Sequence, residues 1–179
     1  AGLDITDQKA TETALQQSET LFEAVFNQTF QFIGILNPDG TTRKINQAAL
    51  DFAGVGEAEL AGKKFWEGPF WEHSDLYRNK LKDAIEQASH GQFTRMEVQH
   101  VSLDGKIQDF DFSLKPVTDD SGQVAMLIAE GRDIAELKRA EEEIRKSDER
   151  LKLALDSVSD ALWDWRVDSG EVYFSSRWY

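Results

Sequence analysis

The sequence contains no cysteine. Disulfides, thiolate metal sites and cysteinyl chemistry are therefore excluded together. No apolar run approaches the length of a membrane span, and the start at Ala1 resembles neither a signal peptide nor a lipid anchor. A cytoplasmic location is the expectation that follows. Basic residues are in deficit: 20 Lys and Arg stand against 33 Asp and Glu, a formal net charge of −13 and a sequence pI of about 4.6. Nucleic acid and anionic membrane both need a basic face, so neither is expected as a partner. Catalytic signatures are missing as well. None of the three histidines stands in a His-Glu-x-x-x-Pro setting, and there is no ATP-binding Gly box, GGDEF or EAL motif. The chain is read as non-enzymatic, with no catalytic residue and no metal ligand.

What is present is a soluble globular composition, 40% hydrophobic and 30% charged in 179 residues. Its organising stretch runs from Gly131 to Leu155. Asp133 stands where an N-cap belongs and Glu136 follows three residues on, the pattern of a capping box. Good helix formers continue from there. Glu141/Arg145 and Glu142/Lys146 are expected to pair at i,i+4. Leu137, Ala140, Ile144, Ser147, Leu151, Ala154 and Val158 recur at alternating steps of three and four, a heptad seam suited to a parallel two-stranded coil. Ala and Ser weaken that seam, which suits a helix with two near-equal packings.

The same pattern stands 129 residues earlier, where Gly2-Leu3-Asp4-Ile5 echoes Gly131-Arg132-Asp133-Ile134. Lys9, Glu12 and Ser18 meet Lys138, Glu141 and Ser147, and Leu15 and Phe22 meet Ile144 and Leu151. Further on, Asn37-Pro38-Asp39-Gly40 meets Val167-Asp168-Ser169-Gly170 after a one-residue insertion. A repeat this long is a domain rather than a solenoid unit. Four segments are expected: the end of one repeat with its connecting helix (1–20), a complete domain (21–134), a coiled-coil helix (135–158) and the head of a further repeat (159–179). Both ends read as cut from a longer chain, with Trp178-Tyr179 inside a strand-to-helix transition.

Along the middle domain the spacing predicts a helix over 4–27, then strands over 30–36 and 41–45 joined by the Pro38-Asp39-Gly40 turn. Asn46 caps a helix over 47–53 that Gly54 ends, and a helical turn covers 57–60. An aromatic segment with Phe65, Trp66, Phe70 and Trp71 leads to Ser74, which caps a helix whose buried stripe is Leu76, Tyr77, Leu81, Ala84, Ile85 and Ala88. Strands over 93–101, 108–114 and 124–130 follow, the first two joined by an Asp104-Gly105 turn. This is an α+β domain on one five-stranded antiparallel sheet with helices on one side, flanked by long connecting helices.

That order and its punctuation resemble a PAS domain. The matching residues are Asn37-Pro38-Asp39-Gly40, Asn46-Gln47-Ala48-Ala49, Gly54, Leu103-Asp104-Gly105-Lys106, Phe112 to Val117, and Gly131-Arg132-Asp133-Ile134. Ala135 stands where Thr is usual. The resemblance implies the tandem PAS region of a bacterial signal-transduction protein, a sensor histidine kinase or a cyclic-di-nucleotide enzyme. Its sheet would curl around a small-molecule pocket. The inner face takes Phe32, Gly34, Leu36, Met96, Val98, His100, Phe110, Phe112, Leu114, Leu127 and Ala129. The outer face carries Ile33, Ile35, Met126 and Ile128 and needs a cover, either the connecting helix around Phe22 and Phe26 or a partner chain. Asp133, Leu137, Ile144 and Leu151 are the expected relay residues.

His100 is the one titratable group placed in the pocket, to bond a ligand, to sense pH, or simply to bond a neighbour at a strand end. Haem and flavin are not expected. His73 falls about one helical turn too early for the axial position, and the family's flavin photochemistry needs a cysteine. His90, in a last helical turn, is a dipole partner only. Two functions remain open. One is a sensor and relay that binds a small ligand and works as a homodimer through its helices, beside neighbouring PAS and output domains. The other is a ligand-free dimerisation spacer, favoured by the bulk of Phe32, Met96, Phe110 and Phe112.

Overall fold

The computed structural model describes residues 2–102, 105–157 and 163–174. It divides into two compact units, 1–134 and 135–179. In the first, helix α1 (Gly2–Gln28) leads into the hairpin β1 (Phe32–Leu36) and β2 (Thr42–Ile45). Short helices α2 (Gln47–Ala53) and α3 (Glu57–Leu60), two 3-10 turns (Phe65–Glu67 and Pro69–Trp71) and helix α4 (Asp75–Ser89) come next. Strands β3 (Thr94–Val101), β4 (Ile107–Thr118) and β5 (Val124–Asp133) complete it. The strands form one antiparallel sheet in the order β2-β1-β5-β4-β3, so the first and last strands are neighbours. The second unit holds α5 (Ala135–Ser157) and a short hairpin, β6 (Trp163–Trp165) with β7 (Val172–Phe174).

Local chemistry sets these boundaries. Asn46 caps α2 by accepting from Ala49 N, and Gly54 ends it in the left-handed region. Ser74 caps α4 by accepting from Tyr77 N. The β1–β2 turn closes through Gly40 N donating to Asn37 O at 2.9 Å. Gly40 has φ 80°, and a Cβ there would lie 2.5 Å from the Trp66 ring, so only glycine fits. Asp39 ties the turn to the aromatic segment: its carboxylate accepts from Lys64 Nζ at 2.7 Å and from Thr41 N at 2.9 Å. The Lys64 bond, with the Thr41 bonds behind it, lowers the Asp39 pKa to about 2.

Register decides the faces. Met96 pairs with Phe112, Val98 with Phe110, and Leu114 with Ala129, so all of these project to the same side. That side is covered by α2, the 3-10 turns and α4, and it holds the core: Leu36, Val98, Phe110, Phe112, Leu114, Leu127 and Ala129 pack with Trp71, Leu81 and Ile85. On the opposite face Ile33, Ile35, Met126 and Ile128 are half-buried. The end of α1 meets that face at the β2 edge, where Lys44 lies over the Phe22 and Phe26 rings and pairs with Glu23.

Several expectations need correction. The first strand begins at Phe32, and Phe30 is 99% exposed. Leu76 is 62% exposed rather than part of the α4 stripe, which runs through Tyr77, Leu81, Ala84, Ile85 and Ala88. Asp133 is the last residue of β5, opposite Phe110. Helix α5 starts at Ala135, two residues after Asp133. Arg145 pairs with Glu142 and Glu149, not Glu141, whereas Glu142 and Lys146 do pair, at 3.3 Å. The Leu103-Asp104 part of the β3–β4 turn, Val158 of the seam and the Trp178-Tyr179 end lie outside the described residues. Among the described residues no helix is long and apolar enough to cross a membrane.

Candidate functional site

Between the inner face of the sheet and its helical cover lies a cavity of about 30 Å³. Its walls come from β1 (Phe32, Gly34), β5 (Ala129, Gly131), β4 (Phe112), β3 (His100), Ile45, Ala49 and the aromatic segment (Phe65, Phe70, Trp71). No charged side chain lines it. The rings interlock: Trp71 meets Phe112 edge-on at 5.2 Å between centroids and His100 edge-on at 4.8 Å, while Phe65 stacks on Phe112 at 6.2 Å. Edge-to-face contacts of this kind favour a fixed packing beyond their area. The volume has room for about one water-sized group.

Two polar groups sit in this apolar wall. Trp71 is fully buried and its Nε1–H has no hydrogen-bond partner. Such a buried donor costs about 1–3 kcal/mol when left unmade. His100 is also buried, and its Nδ1 lies 2.8 Å from the Phe70 carbonyl. A carbonyl only accepts, so Nδ1 carries the proton and donates. Burial pushes the imidazole pKa down to about 4, against the smaller opposing pull of the Phe70 bond. His100 is thus neutral near pH 7, and Nε2 keeps its lone pair as an acceptor.

Beside the cavity stands a buried polar junction. Asn46 is fully buried; its Oδ1 accepts from Ile33 N (3.0 Å) and Ala49 N (3.3 Å), and its Nδ2 donates to Phe26 O (3.1 Å) and Gln31 O (2.8 Å). One side chain joins the end of α1, the start of β1 and the start of α2. The sequence marked Asn46 only as a cap, because the partners at Phe26 and Gln31 depend on where α1 docks.

The residues expected in the pocket divide into two groups. Phe32, His100, Phe112 and Ala129 line the cavity. Leu36, Val98, Phe110, Leu114 and Leu127 are buried in the surrounding core, and Met96 packs half-buried against it. Phe110 supports the wall through ring contacts with Phe32 at 4.9 Å and His100 at 5.2 Å. The sequence pointed to the sheet and left Trp66, Phe70 and Trp71 open as a pocket cap, a contact surface or core; Phe70 and Trp71, with Phe65, form the opposite wall. His73 is exposed, its ring 6.0 Å from that of His100. On α5, Leu137, Ile144 and Leu151 are all more than half exposed. A single chain leaves that seam open to solvent.

With this geometry in view, a family model described as PAS fold matches residues 26–139. The sensor histidine kinase TmoS of Ectopseudomonas mendocina is 32% identical over 152 residues, which is 84% of this chain and 16% of the kinase. The chain therefore spans under a fifth of that relative's length. Among solved structures, the PAS domain of an HTR-like protein from Haloarcula marismortui superposes with a TM-score of 0.57 at 25% identity, over 70% of this chain and 99% of that domain. VqmA bound to DPO superposes with a TM-score of 0.56 at 18% identity, over 64% of this chain and 56% of VqmA, and shares the fold.

Proposed function

The chain belongs to the PAS fold family, and from that premise we propose that residues 21–134 form a sensor and relay module. A small molecule enters the space between the sheet and the aromatic segment. The observation that carries this reading is the fully buried Trp71 Nε1–H, a donor without a partner on the wall of an uncharged cavity. Buried polar groups are normally paired, and those that are not call for an explanation, a ligand among them. VqmA, with the same fold, was solved bound to DPO.

The relay half of the proposal rests on chain order and on Asn46. β5 supplies Ala129 and Gly131 to the cavity and ends two residues before α5 begins. Asn46 bonds the end of α1 from the other flank. Rearrangement around a ligand would then bias the packing of α1 and α5 in a dimer, through the seam Leu137, Ile144 and Leu151. A coupling of about 1–3 kcal/mol shifts a balanced switch substantially. In this reading the chain is one section of a cytoplasmic tandem PAS array that hands its state to the output domain of a histidine kinase or cyclic-di-nucleotide enzyme. Catalysis would belong to that output domain.

The small cavity favours one competing reading, a ligand-free dimerisation spacer. Purified protein should be denatured and the released fraction examined by absorbance and mass spectrometry. A compound at near one per chain supports the sensor. A clean fraction from protein expressed in several media supports the spacer.

A further inference from the structure

The cavity specifies the chemistry of its occupant. Its lining residues offer rings and methyl groups, the unpaired N–H of Trp71, the acceptor nitrogen of His100 and no charge. An ion placed there would lose its hydration and gain no counter-charge. A wholly apolar guest would fill the space and leave the Trp71 donor unmet. His100 supplies no cation either: burial keeps the ring neutral, and its one proton, on Nδ1, is donated to Phe70 O. The cations on neighbouring elements are spoken for. Lys64 is committed to Asp39, and Arg95 to Asp111 on the outer face of the sheet. His73, the other imidazole near His100, is exposed.

We infer that the ligand is a small, uncharged, largely apolar molecule with one acceptor atom that takes the Trp71 Nε1–H. This inference rests on the sensor reading above and narrows it. About 30 Å³ holds little more than one water, so a larger guest, a phenyl probe included, must displace wall groups. Phe32 is half-buried and packs on the half-buried Phe52 at 4.9 Å, so these two rings are free to yield on the solvent side. Gly34 and Gly131, which add no side chain to the wall, keep the sheet side of the space open.

Three probes of one shape test the inference on the full chain: acetophenone, cumene and benzoate. They share a phenyl ring with a branched substituent and differ in acceptor and charge. The readout is the indole N–H region of the 15N-labelled protein, whose five tryptophans give five signals. The Trp71 signal is assigned by its loss in Trp71→Phe. Acetophenone is expected to move that signal downfield to saturation and to bind about tenfold more tightly than cumene, the usual scale for one buried hydrogen bond. Benzoate is expected to leave it in place. Gly34→Ala serves as the filled-cavity control. Its new Cβ would sit 3.6 Å from Ala129 Cβ and 3.8 Å from the Phe65 ring, in ordinary contact, so the variant should fold and lose the response.

Benzoate or cumene binding as tightly as acetophenone overturns the ligand class and leaves the sensor reading standing. So does release of a charged compound from protein that ignores acetophenone. An acetophenone response that survives Gly34→Ala places the probe elsewhere and also overturns the inference. No response together with no released compound removes both readings.

Discussion

Asn46 and His100 show how much a single buried polar side chain decides in this domain. Asn46 uses all four of its hydrogen-bonding positions on backbone from three elements. Truncation to Ala would strand Ile33 N, Gln31 O and Phe26 O in a dry environment. Asn46→Ala should cost about 3 kcal/mol or more in urea unfolding. A midpoint equal to wild type would contradict the junction role. His100 should make stability depend on pH. Unfolded, its imidazole titrates near 6.5; folded, at about 4. Between those values the unfolded chain binds a proton that the folded chain refuses. Stability is therefore whole above pH 6.5 and falls as pH drops toward 4, by up to about 3 kcal/mol. Comparison of urea midpoints at pH 7.5 and 4.5 in wild type and His100→Gln separates this from the carboxylates. Equal losses in the two proteins would assign the acid sensitivity elsewhere.

At the scale of elements, helices α4 and α5 differ in what holds them. α4 buries Leu81, Ala84, Ile85 and Ala88 and is held by the core. α5 carries its apolar residues in the open, with Ile144 70% exposed, and is laced by Glu142–Arg145 and Arg145–Glu149 on its polar side. Surface pairs of this kind contribute only tenths of a kcal/mol. Such a helix gains most from a partner along its seam. Leu137→Glu and Ile144→Glu should each shift sedimentation toward monomer at micromolar concentration without lowering the melting temperature of the sheet domain. If both variants sediment as wild type does, the seam is not the association surface.

For the molecule as a whole, the buried hydrophobic residues of the described chain all lie between Phe26 and Ile134. The second unit, 135–179, is a helix and a hairpin whose described strand residues are exposed. Residues 1–134 alone should therefore fold and melt within a few degrees of the full chain by circular dichroism. A shorter chain that is unfolded at 25 °C would mean that 135–179 contributes to the core.

The sequence by itself determined the element order, the PAS resemblance and the inner face of the sheet. These rest on local chemistry: caps at Asn46 and Ser74, a turn that only Gly40 permits, and an alternation in Phe110, Phe112 and Leu114 that allows one burial. Tertiary structure decided the rest. That Asp133 ends β5, opposite Phe110, depended on the sheet that forms around it. The far wall of the cavity, the solitary Trp71 donor and the four bonds of Asn46 all arise where segments distant in the chain meet. Spacing along the chain carries information about neighbours within a turn or a strand pair. It carries none about which carbonyl a folded domain will bring to a given side chain.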